Sequence, residues 1–161
     1  MQIPLLFLLT ISLFSCAHDI NLSKAKSEKN QIIRFKRIAG RIPVISATLN
    51  GKPAYFIIDT GASVSVLNEP EAKSYGFIVG ANDDVNVTGF TGTSNMRRVV
   101  NCTLQVGTLK ITHIRFSCKN INELVTVVYG NENIKISGIL GSDLLGQYRM
   151  QIDFMNQTIS F

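Results

Sequence analysis

The sequence predicts an all-β sandwich or barrel with one or two short helices, and three observations carry that expectation. Short β-branched and apolar runs follow one another at close intervals, separated by turn residues. Asn50-Gly51 lies between two such runs, and both positions tolerate the positive φ of a tight hairpin. Helical signals are confined to the stretch around Asn68-Glu69-Pro70-Glu71 and to residues 142–148. A chain of 161 residues with 45% apolar content suits one domain with a proper core.

In chain order, residues 1–15 carry no charged side chain, and the apolar run from Ile3 to Phe14 is too short to span a bilayer. It suits the apolar region of an export signal, although the usual basic start is missing. Leu13-Phe14-Ser15-Cys16 resembles the lipobox of bacterial lipoproteins, which are cut before a cysteine that is then lipidated, although Phe14 replaces the small residue common there. Cys16 is therefore the expected lipidation site, with an ordinary cleaved secretory signal as the alternative. Either places the mature protein outside the cytoplasm, and a lipid anchor would hold it to the periplasmic or cell-surface face of a bacterial membrane.

Residues 16–31 are polar and read as a flexible tether leading to a domain over 32–161. Between Cys16 and Arg41 stand seven basic and two acidic residues, which matches the whole chain's net charge of +5. The expectation is a neutral core on a basic stem, suited to anionic lipid head groups or simply solvated. The core shows no basic face with interleaved aromatics, so nucleic-acid binding is disfavoured.

Arg41 to Leu49 and Lys52 to Ile58 read as the two strands of the Asn50-Gly51 hairpin, and Val64 to Leu67 continues extended. Asn68 then offers a helix cap, with Pro70 in the first turn, Glu71 three residues after the cap and Gly76 as the stop. Asn86 to Phe90 and Asn95 to Val106 read as strands around a glycine-containing tip. Leu109 to Cys118 reads as one strand with a bulge near His113, where the apolar phase changes. Leu124 to Tyr129 is β-branched and apolar, the composition of a strand. Ile136 to Gly141 is a short apolar strand, "SDLLGQY" one or two helical turns, and 150–154 with 158–161 a closing hairpin.

Cys102 and Cys118 sit at core-facing phases that a simple hairpin would not bring opposite each other, so two buried thiols are expected rather than a disulfide. No metal constellation is expected, because His18 lies in the tether and His113 stands alone. No cofactor motif is found.

The chemistry gathers at Asp59-Thr60-Gly61-Ala62-Ser63, which places an acid directly after the apolar run ending at Ile58. A buried acid is costly unless it is satisfied or used. A glycine hairpin follows about thirty residues later, and Ile139-Leu140-Gly141 comes near the C-terminus. In this order the three features resemble the retropepsin-like aspartic protease family, in particular its bacterial single-domain members, over about Arg41 to Phe161. The resemblance implies a retropepsin-like barrel and an aspartic endopeptidase. Asp59 would be the catalytic carboxylate, Thr60 would bond across to its counterpart, and Gly61 would turn the backbone and bring its amide to the carboxylate. Ala62 supplies no hydroxyl beside that acid. Gly89, Phe90 and Gly92 would form the tip of a flap over substrate, and Ile139, Leu140 and Gly141 would pack behind the loop.

Asp143 is expected to cap the helix that follows it. The route needs two carboxylates sharing a proton, and the chain has one Asp-Thr-Gly. The resemblance therefore implies a symmetric homodimer, with Asp59 of each copy facing the other, acting on a peptide or protein substrate. The alternative is a peptide- or protein-binding module with the same fold and no cleavage.

Overall fold

A computed structural model describes residues 31–89, 92–112 and 114–161. The leader, Cys16 and the tether up to residue 30 lie outside the described residues, as do Phe90, Thr91 and His113.

The chain opens with two short strands, β1 (Ile32–Arg34) and β2 (Lys36–Ile38), before the hairpin of β3 (Ile42–Leu49) and β4 (Lys52–Ile58). Asn50 and Gly51 both have positive φ, 49° and 78°, as the hairpin reading requires. The Asn50 carboxamide also holds the neighbouring chain: its oxygen accepts the Thr103 amide and its nitrogen donates to the carbonyls of Tyr75 and Asn101. Four of the seven basic residues assigned to the stem, Arg34, Lys36, Arg37 and Arg41, thus stand in the folded part. Arg37 donates to the carbonyl of Phe154 and lies over its ring, and Phe154 meets Phe35 edge-on at 5.9 Å.

After β5 (Val66–Asn68) come a 3₁₀ turn at Glu69–Glu71 and α1 (Ala72–Tyr75), which stops at Gly76 in the left-handed conformation. The turn lies where Asn68 and Pro70 put it, but Asn68 does not cap it. The side chain is fully buried; its oxygen accepts the Ile121 amide and its nitrogen donates to Asn122 Oδ1.

β6 (Ile78–Gly89) and β7 (Gly92–Val100) form a long hairpin closing at the Gly89–Gly92 pair, with a register shift between Val79 and Asp84. The second expected strand does not run on to Val106: Asn101 takes a positive φ of 57°, and β8 (Leu104–Val106) starts anew, paired with β9 (Leu109–Ile111). Nor is Leu109 to Cys118 continuous, since β10 begins only at Ser117 (Ser117–Lys119) and pairs with β5 and β7 instead.

The largest correction concerns Leu124 to Tyr129, which is helix α2 (Asn122–Glu132) rather than a strand. Ile121, Leu124, Val125 and Val128 recur at helical spacing and pack together in one cluster. Asn120 Oδ1 accepts the Asn122 amide at the start of the helix. β11 (Gly138–Leu140), α3 (Ser142–Gln147), β12 (Gln151–Asp153) and β13 (Thr158–Ser160) complete the chain.

The main sheet runs β6-β7-β10-β5-β11-β4-β3-β8-β9, with β2 paired to β3, while β1, β13 and β12 form a small second sheet. Alternation along β4 divides the core. Phe56 and Ile58 enter the larger cluster with Leu67, Phe116 and Leu140, whereas Ile57 joins Val44, Ile136 and the α2 residues.

Cys102 and Cys118 are free and buried, as expected. Burial pushes the Cys102 thiol up to about 12, and burial, followed by the nearby Glu69 charge, also raises Cys118. Both favour the neutral thiol, so their contribution to stability is full below the ordinary thiol range and is lost as pH rises from that range through the raised folded-state values. A thiol reagent at pH 8 is expected to label neither cysteine in the native protein and both in urea; rapid native labelling would contradict the burial. Asn68→Ala is expected to cost about 1–3 kcal/mol in urea unfolding, because the Ile121 amide loses its buried acceptor; an unchanged midpoint would refute that role.

Candidate active site

The Asp59 loop is built by the insertion of β11 between β4 and β5, parallel to the first and antiparallel to the second. Ile139 lies beside Ile57 and Leu140 beside Ile58, so the end of the strand delivering Asp59 is held on this edge. The Asp59 amide donates to the Leu140 carbonyl (3.0 Å), and the Ser142 amide donates to the Ala62 carbonyl (2.8 Å). Ser142 Oγ donates to the same carbonyl at 3.0 Å. The loop closes on itself through the Ala62 amide and the Asp59 carbonyl, 3.2 Å apart.

Ile58 is buried, but Asp59, Thr60 and Gly61 are exposed in the protomer. The expected conflict of a buried acid therefore does not arise in a single chain. The Gly61 amide donates to Asp59 Oδ1 at 2.9 Å, aiming the carboxylate by a bond within the loop.

Gly61 does not have a positive φ, and a Cβ there would meet Asp59 Oδ1 at 3.3 Å. The stricter demand falls on Gly141, where a Cβ would lie 2.7 Å from the Val64 carbonyl and 2.8 Å from the Ala62 oxygen, both backbone. Gly141 is thus the position that lets β11 close against the loop.

Asp143 and Ser65 complete the support. Asp143 stands in the first turn of α3 and accepts the Leu144 amide there, the helix-end role expected of it, while also reaching back to Ser65 at the start of β5. Its Oδ2 accepts the Ser65 amide at 2.9 Å, and Oδ1 accepts Ser65 Oγ at 2.6 Å and the Leu144 amide at 2.8 Å. The fully buried Ser65 hydroxyl in turn accepts the Gly141 amide at 2.8 Å. Ser65 was not singled out from sequence; a lone hydroxyl in an apolar strand was its only signal.

Of the residues expected at the flap, Gly89 and Gly92 pair at the end of the β6–β7 hairpin, and Phe90 lies outside the described residues. Among the described residues no three potential metal ligands gather.

This half-barrel is a retropepsin-like fold. Solved structures it resembles are the EIAV protease complexed with the inhibitor HBY-793 (18% identity, TM-score 0.53, covering 74% of this chain and 99% of that one) and a retropepsin-like aspartic protease from Rickettsia conorii (19%, 0.51, 81% and 89%). A third is the retroviral protease-like domain of Ddi1 from Leishmania major (18%, 0.51, 72% and 84%). In sequence, 115 residues are 30% identical to the Gag-Pol polyprotein of feline leukemia virus, a match that takes in 71% of this chain but 6% of that polyprotein. The aspartyl protease family model matches residues 45–144, well over half the chain, and the protein belongs to that family.

Gly141→Ala is expected to cost about 1–3 kcal/mol in urea unfolding and to move the amide resonances of 62–65, because backbone has to give way. Gly61→Ala, facing only a side-chain oxygen, is expected to cost under about 1 kcal/mol. Equal effects at the two sites would contradict this account.

Proposed function

We propose that the protein is an aspartic endopeptidase whose centre is assembled from two copies of the chain, with Asp59 of each supplying one carboxylate. The observation that carries this reading is the placement of Asp59. It is an exposed acid at the end of a fully supported strand, aimed by the Gly61 amide. Among the described residues it makes no ion pair. Asp143, the other acid tied to this loop, is spent on Ser65 and Leu144 and is not a second catalytic acid.

In the proposed reaction one Asp59 carboxylate takes a proton from water as the water attacks the peptide carbonyl. The other, protonated, polarises that carbonyl; two carboxyl groups this close share one proton. Thr60 bonds to its counterpart across the two-fold axis, and the Gly89–Phe90–Gly92 tip closes over the peptide. The chemistry calls for no cofactor.

We extend the proposal to location: the chain is exported and held to a membrane by lipid on Cys16. The residues from Cys16 to Ile32 then allow a reach of at most about 60 Å. Cys16→Ser is expected to release the protein from the membrane fraction without detergent.

Asp59→Asn is expected to lower peptide cleavage by about 10²–10⁴-fold with an unchanged fold, because the amide cannot accept the proton from water. Specific activity is also expected to fall on dilution, as half-sites separate. Constant specific activity in a protein that sediments as a monomer would overturn the shared site. Peptide binding without cleavage at any concentration would favour the binding module instead.

A further inference from the structure

A cavity of about 520 Å³ lies between β7, residues 112 and 114–117, and α3, and neither Asp59, Thr60 nor Gly61 lines it. Its wall carries Val64 and Asp143, so it adjoins the supports of the Asp59 loop. Two arginines dominate it. Arg98 pairs with Ser117 across the β7–β10 ladder, and that ladder continues backward through the bond from the Val99 amide to the Phe116 carbonyl. Arg115 stands two residues before Ser117, so the period of two places it on the face of Arg98, diagonally across the pair.

Diagonal like charges repel, and no ion pair among the described residues relieves them. Among the described residues the ion pairs are Arg97–Glu69 and Lys135–Glu71, and neither Arg98 nor Arg115 takes part in one. Asp143 shares the cavity, but its oxygens are occupied by Ser65 and Leu144. Thr112, Gln147 and Tyr148 add neutral donors, and the half-buried Val64 adds apolar surface.

We propose that this cavity binds a carboxylate carried on an apolar stem, taken up between the Arg98 and Arg115 guanidinium groups. The planar fork of an arginine matches a carboxylate through two parallel hydrogen bonds. Among the described lining residues, two arginines and one aspartate give a net charge of +1. That balances a single carboxylate and leaves a phosphate dianion in excess. The apolar surface suits a hydrocarbon stem rather than a bare ion. Two sources carry this chemistry: a free carboxylic acid, or an acidic side chain of a peptide lying along the protein. The peptide source, but not the site, rests on the reading of Asp59 as a peptidase centre.

The test is a titration of the full chain with phenylacetate at fixed ionic strength, read from the arginine Nε–Hε resonances. Saturable movement of the Arg98 and Arg115 signals is expected. Affinity should fall at least about tenfold in Arg98→Gln/Arg115→Gln, about the loss of one charge-assisted bond, and inorganic phosphate should bind more weakly. Absence of saturation in the parent, binding that persists in the double variant, or tighter binding of phosphate would each overturn the proposal. Paired peptides differing by Glu or Gln, added to the phenylacetate complex of Asp59→Asn, separate the sources. Displacement by the Glu peptide alone identifies a peptide side chain, and displacement by neither identifies a free acid. The readout is binding, so it stands whether or not the protein cleaves peptides.

Discussion

The strands that enter and leave the Asp59 loop do not pair with each other, and the candidate centre depends on how that gap is filled. β11 occupies it, with both its edges hydrogen-bonded. Such a segment is confined on all sides and has no room for a side chain where backbones converge. That accounts for glycine at both ends of the insertion. A Cβ on Gly138 would lie 2.9 Å from the Phe56 ring, and one on Gly141 would run into the carbonyls of Val64 and Ala62. Each glycine costs of order 0.5–1 kcal/mol in chain entropy. The bonds from Asp59 to Leu140 and from Ser142 to Ala62 offset it by satisfying backbone groups at the turn.

The same geometry settles where the acid sits. Ile58 is the last residue of β4 to be drawn into the core, and Asp59 is already in solvent. The carboxylate there is open to water in the protomer. In the proposed dimer the cost of desolvation appears only when two such loops meet, and one retained proton then removes the repulsion between them. A rule that places an acid in a buried loop would therefore describe the proposed dimer, and the single chain is free to fold with Asp59 exposed.

Much of this was legible in the sequence because it is written in local chemistry. The Asn50-Gly51 hairpin and the Gly76 stop each rest on residues a few positions apart. What escaped is non-local or ambiguous in period. Asn68 and Glu71 carry the signature of a capping box, and a helical turn does follow. Yet Asn68 is consumed by Ile121 and Asn122, more than fifty residues away, while Glu71 pairs with Lys135. The same signature recurs at Asn120 and Glu123, ahead of α2, where β-branched composition suggested a strand. Periodicity was the better guide there, since Ile121, Leu124, Val125 and Val128 fit a helix. At the site, Asp59 and Gly141 stood out by motif. The Ser65–Asp143 pair did not, because it joins positions 78 residues apart.

Those non-local bonds decide how the proposed half-sites could meet. The loop is fixed within its own protomer by β11, by Ser142 and by the buried chain from Asp143 through Ser65 to Gly141. None of these supports calls on a second chain. Association would therefore bring together two loops already in place, and its cost would be the lost freedom of rigid bodies and the desolvation of the groups that meet, without an added cost of ordering the loop. Pre-organisation of this kind is what a pair of acids requires, since a shared proton depends on a short and fixed separation between carboxyl groups. Two-fold symmetry makes the surfaces around both loops identical, so a single set of intrachain bonds holds both members of the pair to the same standard.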